Sequence, residues 1–379
     1  MASTHPSALF QPIKLGNAQL KHRIVMPPMA RLRATADHIP TDLMREYYEQ
    51  RATDGGLIIA EGSVVSPIAG GYRHAPGIWS EEQIAGWKAV TDAVHAKGGI
   101  IYNQIWHPGR ATFAAMMPDN APPIAPSAIA ASGKSPLGID WETPQEMTPK
   151  DILDIKQDFV TAAKNAVNKA GFDGIEIHAA TGFLVDQFIR SSSNVRTDQY
   201  GGSIENRSRF LLELVDDTVA AIGAERTAIR LSPFDNYMDM EDDTPLETFG
   251  YIVEQLKKKH PKLSHIHMIE PRLDLWNDDS VLSTENTLDS FREKWGADGV
   301  FISSGGYTYS PKLAEEVADA TGNLISFGRL FTSNPDLVER LRNGWSFTKY
   351  DRSTFYGGDG RGLTDFTVYD NSQQQNQQL

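Results

Sequence analysis

Two textures alternate along this chain. Short apolar runs recur at "IVMPPM" (24–29), "GLIIAEGS" (56–63), "GIIYNQIW" (99–106) and "GFDGIEIHAA" (171–180). They continue at "TAIRLSPF" (227–234), "SHIHMIEP" (264–271), "DGVFISSGG" (298–306) and "NLISFGRLF" (323–331). Each is apolar at most positions rather than at every second one, the pattern of parallel strands covered by helices. The longer stretches between them carry a helical period. "SEEQIAGWKAVTDAVHAKGG" opens with Ser80 and Gln83 in capping-box spacing. After Thr148-Pro149, the residues Ile152, Ile155, Phe159, Ala162, Ala166 and Ala170 share one face. "SPKLAEEV" and "NPDLVERL" place Ser310 and Asn334 as N-caps, each before a first-turn Pro.

Eight strand–helix units predict an α/β fold, a (β/α)8 TIM barrel. A doubly wound sheet is the alternative, but no GxGxxG follows the first strand to support it. Residues 107–147, rich in Pro, Ala, Ser and Gly, follow the third strand and are expected to form a lid or rim over the C-terminal mouth. We expect a single domain over residues 1–365 and a disordered Gln-rich tail over 366–379.

Composition narrows the function classes. The chain of 379 residues carries a net charge of −13, which disfavours nucleic acid and anionic membrane as partners. It has no cysteine, so disulfides, thiolate metal sites and a Cys nucleophile are excluded. "MASTHPSALF" lacks the pattern of a signal peptide, and no stretch has the ~18 apolar residues of a membrane span. A cytoplasmic protein with a small-molecule ligand is the expectation. "HIH" at 265–267 turns two histidines to the same side of a strand without a clear third ligand, which reads as a satisfied core pair and predicts no metal.

Barrel chemistry is done where strands end. Gln104, His178, Arg230, Gly305-Gly306 and Gly328-Arg329 all fall there. Singly, each polar residue could be a satisfied core group and each glycine a turn. Together, the Gly-rich turns and Arg329 suit a phosphate, and Gln104 and Arg230 suit a ring system deeper in the mouth.

With these residues in place, the chain resembles the old yellow enzyme family of FMN-dependent oxidoreductases from about residue 9 to 356. The likeness lies in "PPMARLRA", "EYYEQRA", "AGGYRHAPGIWSEEQ", "DQFIRSSSNVRTDQYGGSIENRSRF", "RLSPF" and "FGRLFTSNPDLVERLRNG". It implies that Pro28, Met29, Ala30, Gly62 and Gln104 line the flavin ring and that Arg230 lies near its N1 and C2 carbonyl. Gly305, Gly306, Gly328 and Arg329 would hold the phosphate, while Tyr72, Trp106, Phe355 and Tyr356 would line the substrate side. It further implies hydride transfer from NAD(P)H, through the flavin, to the β-carbon of an alkene activated by a carbonyl.

The resemblance also exposes three departures. After the fourth strand the family places His-x-x-Asn or His-x-x-His to bind the substrate oxygen, then Tyr two residues later to protonate the α-carbon. Here the set is His178, Thr181 and Phe183. Thr181 offers one hydroxyl with a shorter reach, and Phe183 cannot donate a proton at all. Ala30 stands where most relatives carry a Thr beside the flavin C4 carbonyl. Some relatives in fungal alkaloid biosynthesis also have Phe for the Tyr and use the flavin for isomerisation. Three readings follow: an ene-reductase with water or Tyr356 as proton source, an isomerase or cyclase without net redox change, and a flavin-binding protein without turnover. Specificity is expected in the loops 107–147 and 272–283.

Overall fold

The computed structural model describes residues 7–135, 137–271 and 286–370, so the 272–283 loop and the tail from residue 371 lie outside the described residues. Each of the eight apolar runs contributes one strand to a closed, all-parallel barrel: β1 (Ile24–Met26), β2 (Leu57–Val64), β3 (Ile100–Trp106) and β4 (Gly174–Ala179), then β5 (Thr227–Leu231), β6 (His265–Ile269), β7 (Phe301–Ser304) and β8 (Leu324–Ser326). Closure comes from β8 on β1, where Ile325 pairs with Ile24 and Ser326 with Val25. All strands but β2 are shorter than their runs, whose remaining residues continue into the adjoining turns and helices.

Around the barrel lie α1 (Asp42–Arg51), α2 (Glu81–Ala96), α3 (Pro149–Lys164), α4 (Leu184–Ile189) and α5 (Ile204–Ile222), followed by α6 (Pro245–Lys259), α7 (Asp289–Trp295), α8 (Pro311–Thr321), α9 (Gly328–Ser333) and α10 (Leu337–Asn343). Ser80 and Gln83 form the expected capping box on α2. Thr148 does the same on α3 with Asp151, and Ile152, Ile155 and Phe159 are buried on its inner face. That helix runs on through a wider turn at Asn165–Lys169. Asn334 is not the cap of α10, which Asp336 precedes; it ends α9, and its side-chain amide donates to the Leu330 and Thr348 carbonyls.

The main core fills the shell between barrel and helices. A separate cluster of Leu15, Leu20, Val25, Leu57, Ile59 and Tyr102 closes the barrel bottom, where an N-terminal hairpin (Ile13–Leu15 with Ala18–Leu20) packs in. At the other end, residues 107–147 fold as the anticipated rim. The Arg110 guanidinium, buried, donates to the carbonyls of Ile129 and Met238 and ties the rim to the loop after β5.

A C-terminal strap completes the mouth. The buried Arg31 donates to the carbonyls of Phe355 (3.0 Å) and Gly362 (2.8 Å), and Arg33 to those of Phe355 (2.9 Å) and Thr354 (3.0 Å). Tyr369 stacks on Trp345 at 4.5 Å, and its backbone N–H donates to Asp336, so 366–370 pack on the fold. Arg33→Ala should remove about 2 kcal/mol of local stability, given what hydrogen bonds from a charged donor contribute. The check is chymotryptic cleavage at Phe355 and Tyr356, which should quicken; an unchanged cleavage rate would show that the strap is held by other contacts.

Candidate active site

The turn after β4 carries Thr181 and Phe183, two of the expected catalytic residues. Its backbone is fixed from both sides: Thr181 N–H donates to Ser232 Oγ (2.8 Å), and Gly182 N–H donates to Asp186 (3.0 Å), itself paired with the buried Arg190. Gln187 reinforces it by donating to the carbonyls of Gly182 and Pro108, which joins the turn to the base of the rim. Thr181 sits at φ 53°, in the left-handed region, where a β-branched residue is strained.

Phe183 lies between two rings. It meets Trp106 edge-on at 4.8 Å and His178 edge-on at 4.9 Å, and it also packs toward the rim cluster of Ala111, Phe113, Trp141 and Met238. Tyr72 leans on the far side of Trp106 at 5.7 Å. Gly62 is required here, because a Cβ would stand 2.7 Å from the Trp106 ring.

His178 is buried and pairs in register with Arg230, which pairs in turn with His267. Burial, helped by Arg230, pushes the His178 pKa down to about 3, so it is neutral at physiological pH. Burial also lowers Arg230, partly offset by Glu176 and Asp235. Three buried polar atoms at this level have no hydrogen-bond partner among the described residues: Trp106 Nε1, His178 Nδ1 and Arg230 Nε. Orphaned donors of this kind gathered at a barrel mouth mark a place where a polar ligand belongs.

The residues expected to hold a phosphate lie after β7 and β8. Gly305 (φ 111°) and Gly306 (φ 80°) turn the chain after β7 through backbone conformations that favour glycine. Gly328 faces Met29 closely enough that a Cβ would lie 3.4 Å from its sulfur. Arg329 donates to the Tyr309 hydroxyl at the rim of this site. Pro28 and Met29 are half-buried and Ala30 is exposed. Phosphate-compatible turns, orphaned donors and a guanidinium beneath them fit flavin mononucleotide.

Several residues that shape the site gave no motif signal. Glu61, buried in β2, accepts from the backbone N–H groups of Arg31 (3.0 Å) and Leu32 (3.2 Å), which holds the Pro28–Ala30 segment in place. The exposed Tyr356 lies close enough to Tyr72 and Tyr237 to oppose ionisation of both, and Tyr237 does the same to Tyr72. Burial pushes the Tyr237 phenol up to about 12 and raises Tyr72 as well. His265 and His267 are the satisfied core pair expected, both bonded to Glu176, and no metal-binding group occurs among the described residues.

A parallel barrel whose mouth suits a flavin and an aromatic-lined substrate defines a flavin-dependent oxidoreductase. Residues 8–347 match the model of the NADH:flavin oxidoreductase / NADH oxidase family. The chain is 43% identical to flavin oxidoreductase hxnT of Emericella nidulans, over 97% of this chain and 99% of that one. It is 42% identical to 12-oxophytodienoate reductase 1 of Oryza sativa subsp. japonica, covering 94% and 92%. Morphinone reductase superposes with a TM-score of 0.88 at 40% identity, covering 98% of this chain and 99% of that one. Old yellow enzyme from Pichia sp. AKU4542 gives 0.87 at 38%, covering 96% and 94%. The chain belongs to this family, within its old yellow enzyme group, and is an FMN-dependent NAD(P)H oxidoreductase of the ene-reductase type. No helix among the described residues is long and apolar enough to cross a membrane.

Two outcomes follow from the turn and from His178. Thr181→Asn should raise stability by ~1 kcal/mol, because Asn adopts left-handed backbone more readily; a thermal midpoint that falls would show that Thr181 is not strained. Affinity for a neutral enone should be flat from pH 5 to 8, since His178 gains no proton there. A transition centred near 6.5 would show an ordinary His178. Its sign in stability is also fixed: the unfolded chain takes up the proton below 6.5 while the folded one does not until about 3, so His178 favours unfolding progressively as pH falls through that window.

Proposed function

We propose that the chain acts on an α,β-unsaturated carbonyl compound of specialised metabolism and that it binds the carbonyl oxygen at His178 and Thr181. Bound flavin mononucleotide supplies the hydride, taken from NAD(P)H and delivered to the β-carbon. His178, neutral and buried, offers a ring N–H to the oxygen on which charge develops. Thr181 adds one hydroxyl. Gln104 and Arg230 would face the flavin ring, with Arg230 balancing negative charge gained there. Gly305, Gly306, Gly328 and Arg329 would hold the phosphate, and Tyr72, Trp106, Phe355 and Tyr356 the substrate.

The observation that carries the reading is the wedge of Phe183 between Trp106 and His178. It fills the position from which a phenol would protonate the α-carbon, and it brings no acidic proton. The candidate replacements are reluctant: burial raises the pKa of both Tyr72 and Tyr237, which makes each a weaker acid. Tyr356 is 61% exposed and is the phenol best placed to exchange protons with water. The same shortage of donors favours a second outcome. An intermediate that stays unprotonated lives longer, so it can rotate, cyclise or return its hydride, giving an isomer with no net use of NAD(P)H. Two relatives carry names of ketone substrates, 12-oxophytodienoate and morphinone, which supports a carbonyl-bearing specialised metabolite.

Phe183→Tyr should raise net reduction of 2-cyclohexen-1-one by about 10²-fold, the low end of what a positioned general acid contributes. Anaerobic turnover followed by product mass decides it. An unchanged rate would mean that protonation already comes from elsewhere. His178→Ala should weaken ligand binding and leave FMN bound; loss of the yellow colour would show that His178 serves the flavin instead.

A further inference from the structure

Below the mouth, a carboxylate that the chemistry above does not use sits at the centre of the barrel. Glu176 on β4 is fully buried and gathers donors from three directions. Gln104 Nε2 donates to its Oε1 at 2.9 Å, His267 Nδ1 lies 2.8 Å from its Oε2, and His265 Nε2 lies 3.3 Å from the same oxygen. The bonds continue outward. His267 Nε2 meets Ser304 Oγ, which meets Ser326 Oγ, and His265 Nδ1 meets Ser264 Oγ, which meets the Tyr102 hydroxyl. One connected set thus joins β3, β4, β6, β7 and β8, and Ser304 immediately precedes the Gly305-Gly306 turn.

We infer that Glu176 is a positioning residue for the flavin ring, acting through the Gln104 carboxamide. An ionised carboxylate only accepts hydrogen bonds, so the edge of Gln104 that meets it has to be the NH2. Gln104 is buried on β3 and pairs in register with Glu176, so its amide cannot turn away to water. With one N–H committed to Glu176, the carbonyl and the second N–H are left to face a ligand. The pyrimidine edge of a flavin presents C=O and N–H side by side and needs that combination. A flipped amide would lose the carbonyl from this contact.

Glu176 stays ionised because its surroundings favour it. Burial alone would raise its pKa, but His267 and His265 hold it well below the usual carboxylate range, and the cationic Arg230 is near enough to be influenced by its charge.

The proposal rests on Gln104 facing the ring, and a double-mutant cycle on FMN affinity tests both parts. The isosteric Glu176→Gln keeps the volume but can donate as well as accept, so it releases the constraint on Gln104. Apoprotein of the wild type, E176Q, Q104A and the double variant is titrated with FMN by fluorescence quenching, with circular dichroism to confirm folding. E176Q should raise the FMN dissociation constant about tenfold, the scale of one hydrogen bond, and shift the visible flavin bands. In the Q104A background the same change should alter affinity by less than about twofold. An equal loss in both backgrounds would overturn the proposal, because Glu176 would then act by its charge near Arg230 or through the fold. Unaltered affinity in E176Q would overturn it too. If Q104A by itself binds FMN like the wild type, the placement of Gln104 is what fails, and the proposal falls with it. Should E176Q not fold, wild-type protein still decides the matter. The Gln104 side-chain amide protons, identified by their loss in Q104A, should exchange slowly with water when donated to a buried carboxylate, and fast exchange would overturn the inference.

Discussion

Closing the barrel is the constraint on which everything else depends. Once β8 pairs with β1, side chains that point inward are shut off from water and must satisfy one another. The interior answers in two ways. Its lower end is apolar, plugged by the N-terminal hairpin. Its middle is polar but almost wholly paired, with Glu176 accepting from a glutamine and two histidines. At the mouth, among the described residues, buried polar atoms of Trp106, His178 and Arg230 lie together without hydrogen-bond partners. The gradient from apolar, through paired, to unpaired leads to the mouth, where we propose the flavin ring lies.

The substrate half of the mouth is organised around aromatic packing rather than acid–base pairs. Phe183 bridges Trp106 and His178 and reaches the rim cluster, so one apolar side chain joins the turn after β4 to the rim above it. The buried phenols nearby, Tyr72 and Tyr237, are weakened as acids by burial. The turn nevertheless keeps a left-handed backbone at Thr181 that suits a residue such as Asn better than Thr.

Arginines do much of the positioning at a distance. Arg31 and Arg33 hold the carbonyls of the strap that carries Phe355 and Tyr356, and Arg110 ties the rim to the loop after β5. Each fixes irregular chain by donating to backbone carbonyls that would otherwise be buried and unsatisfied. Loops held in this way can shape a site as firmly as strands do.

The pattern of apolar runs was enough to determine the barrel, because eight doubly covered strands alternating with amphipathic helices admit few other arrangements. The helix starts at Ser80 and Thr148 were equally legible, since capping is a matter of neighbours in sequence. Asn334 was not, because its amide is claimed by Thr348, fourteen residues away, and no local rule sees that bond. The His178, Thr181 and Phe183 set was visible as a string. Tertiary structure alone showed that Phe183 is wedged against Trp106, 77 positions away, and that Glu61 steadies the segment after β1. It also showed that the paired histidines of "HIH" answer to Glu176, some 90 positions before them. Sequence determines what repeats along the chain and which groups are available for chemistry. Which of those groups meet is decided by closure of the barrel, because only closure brings the ends of distant strands around one axis.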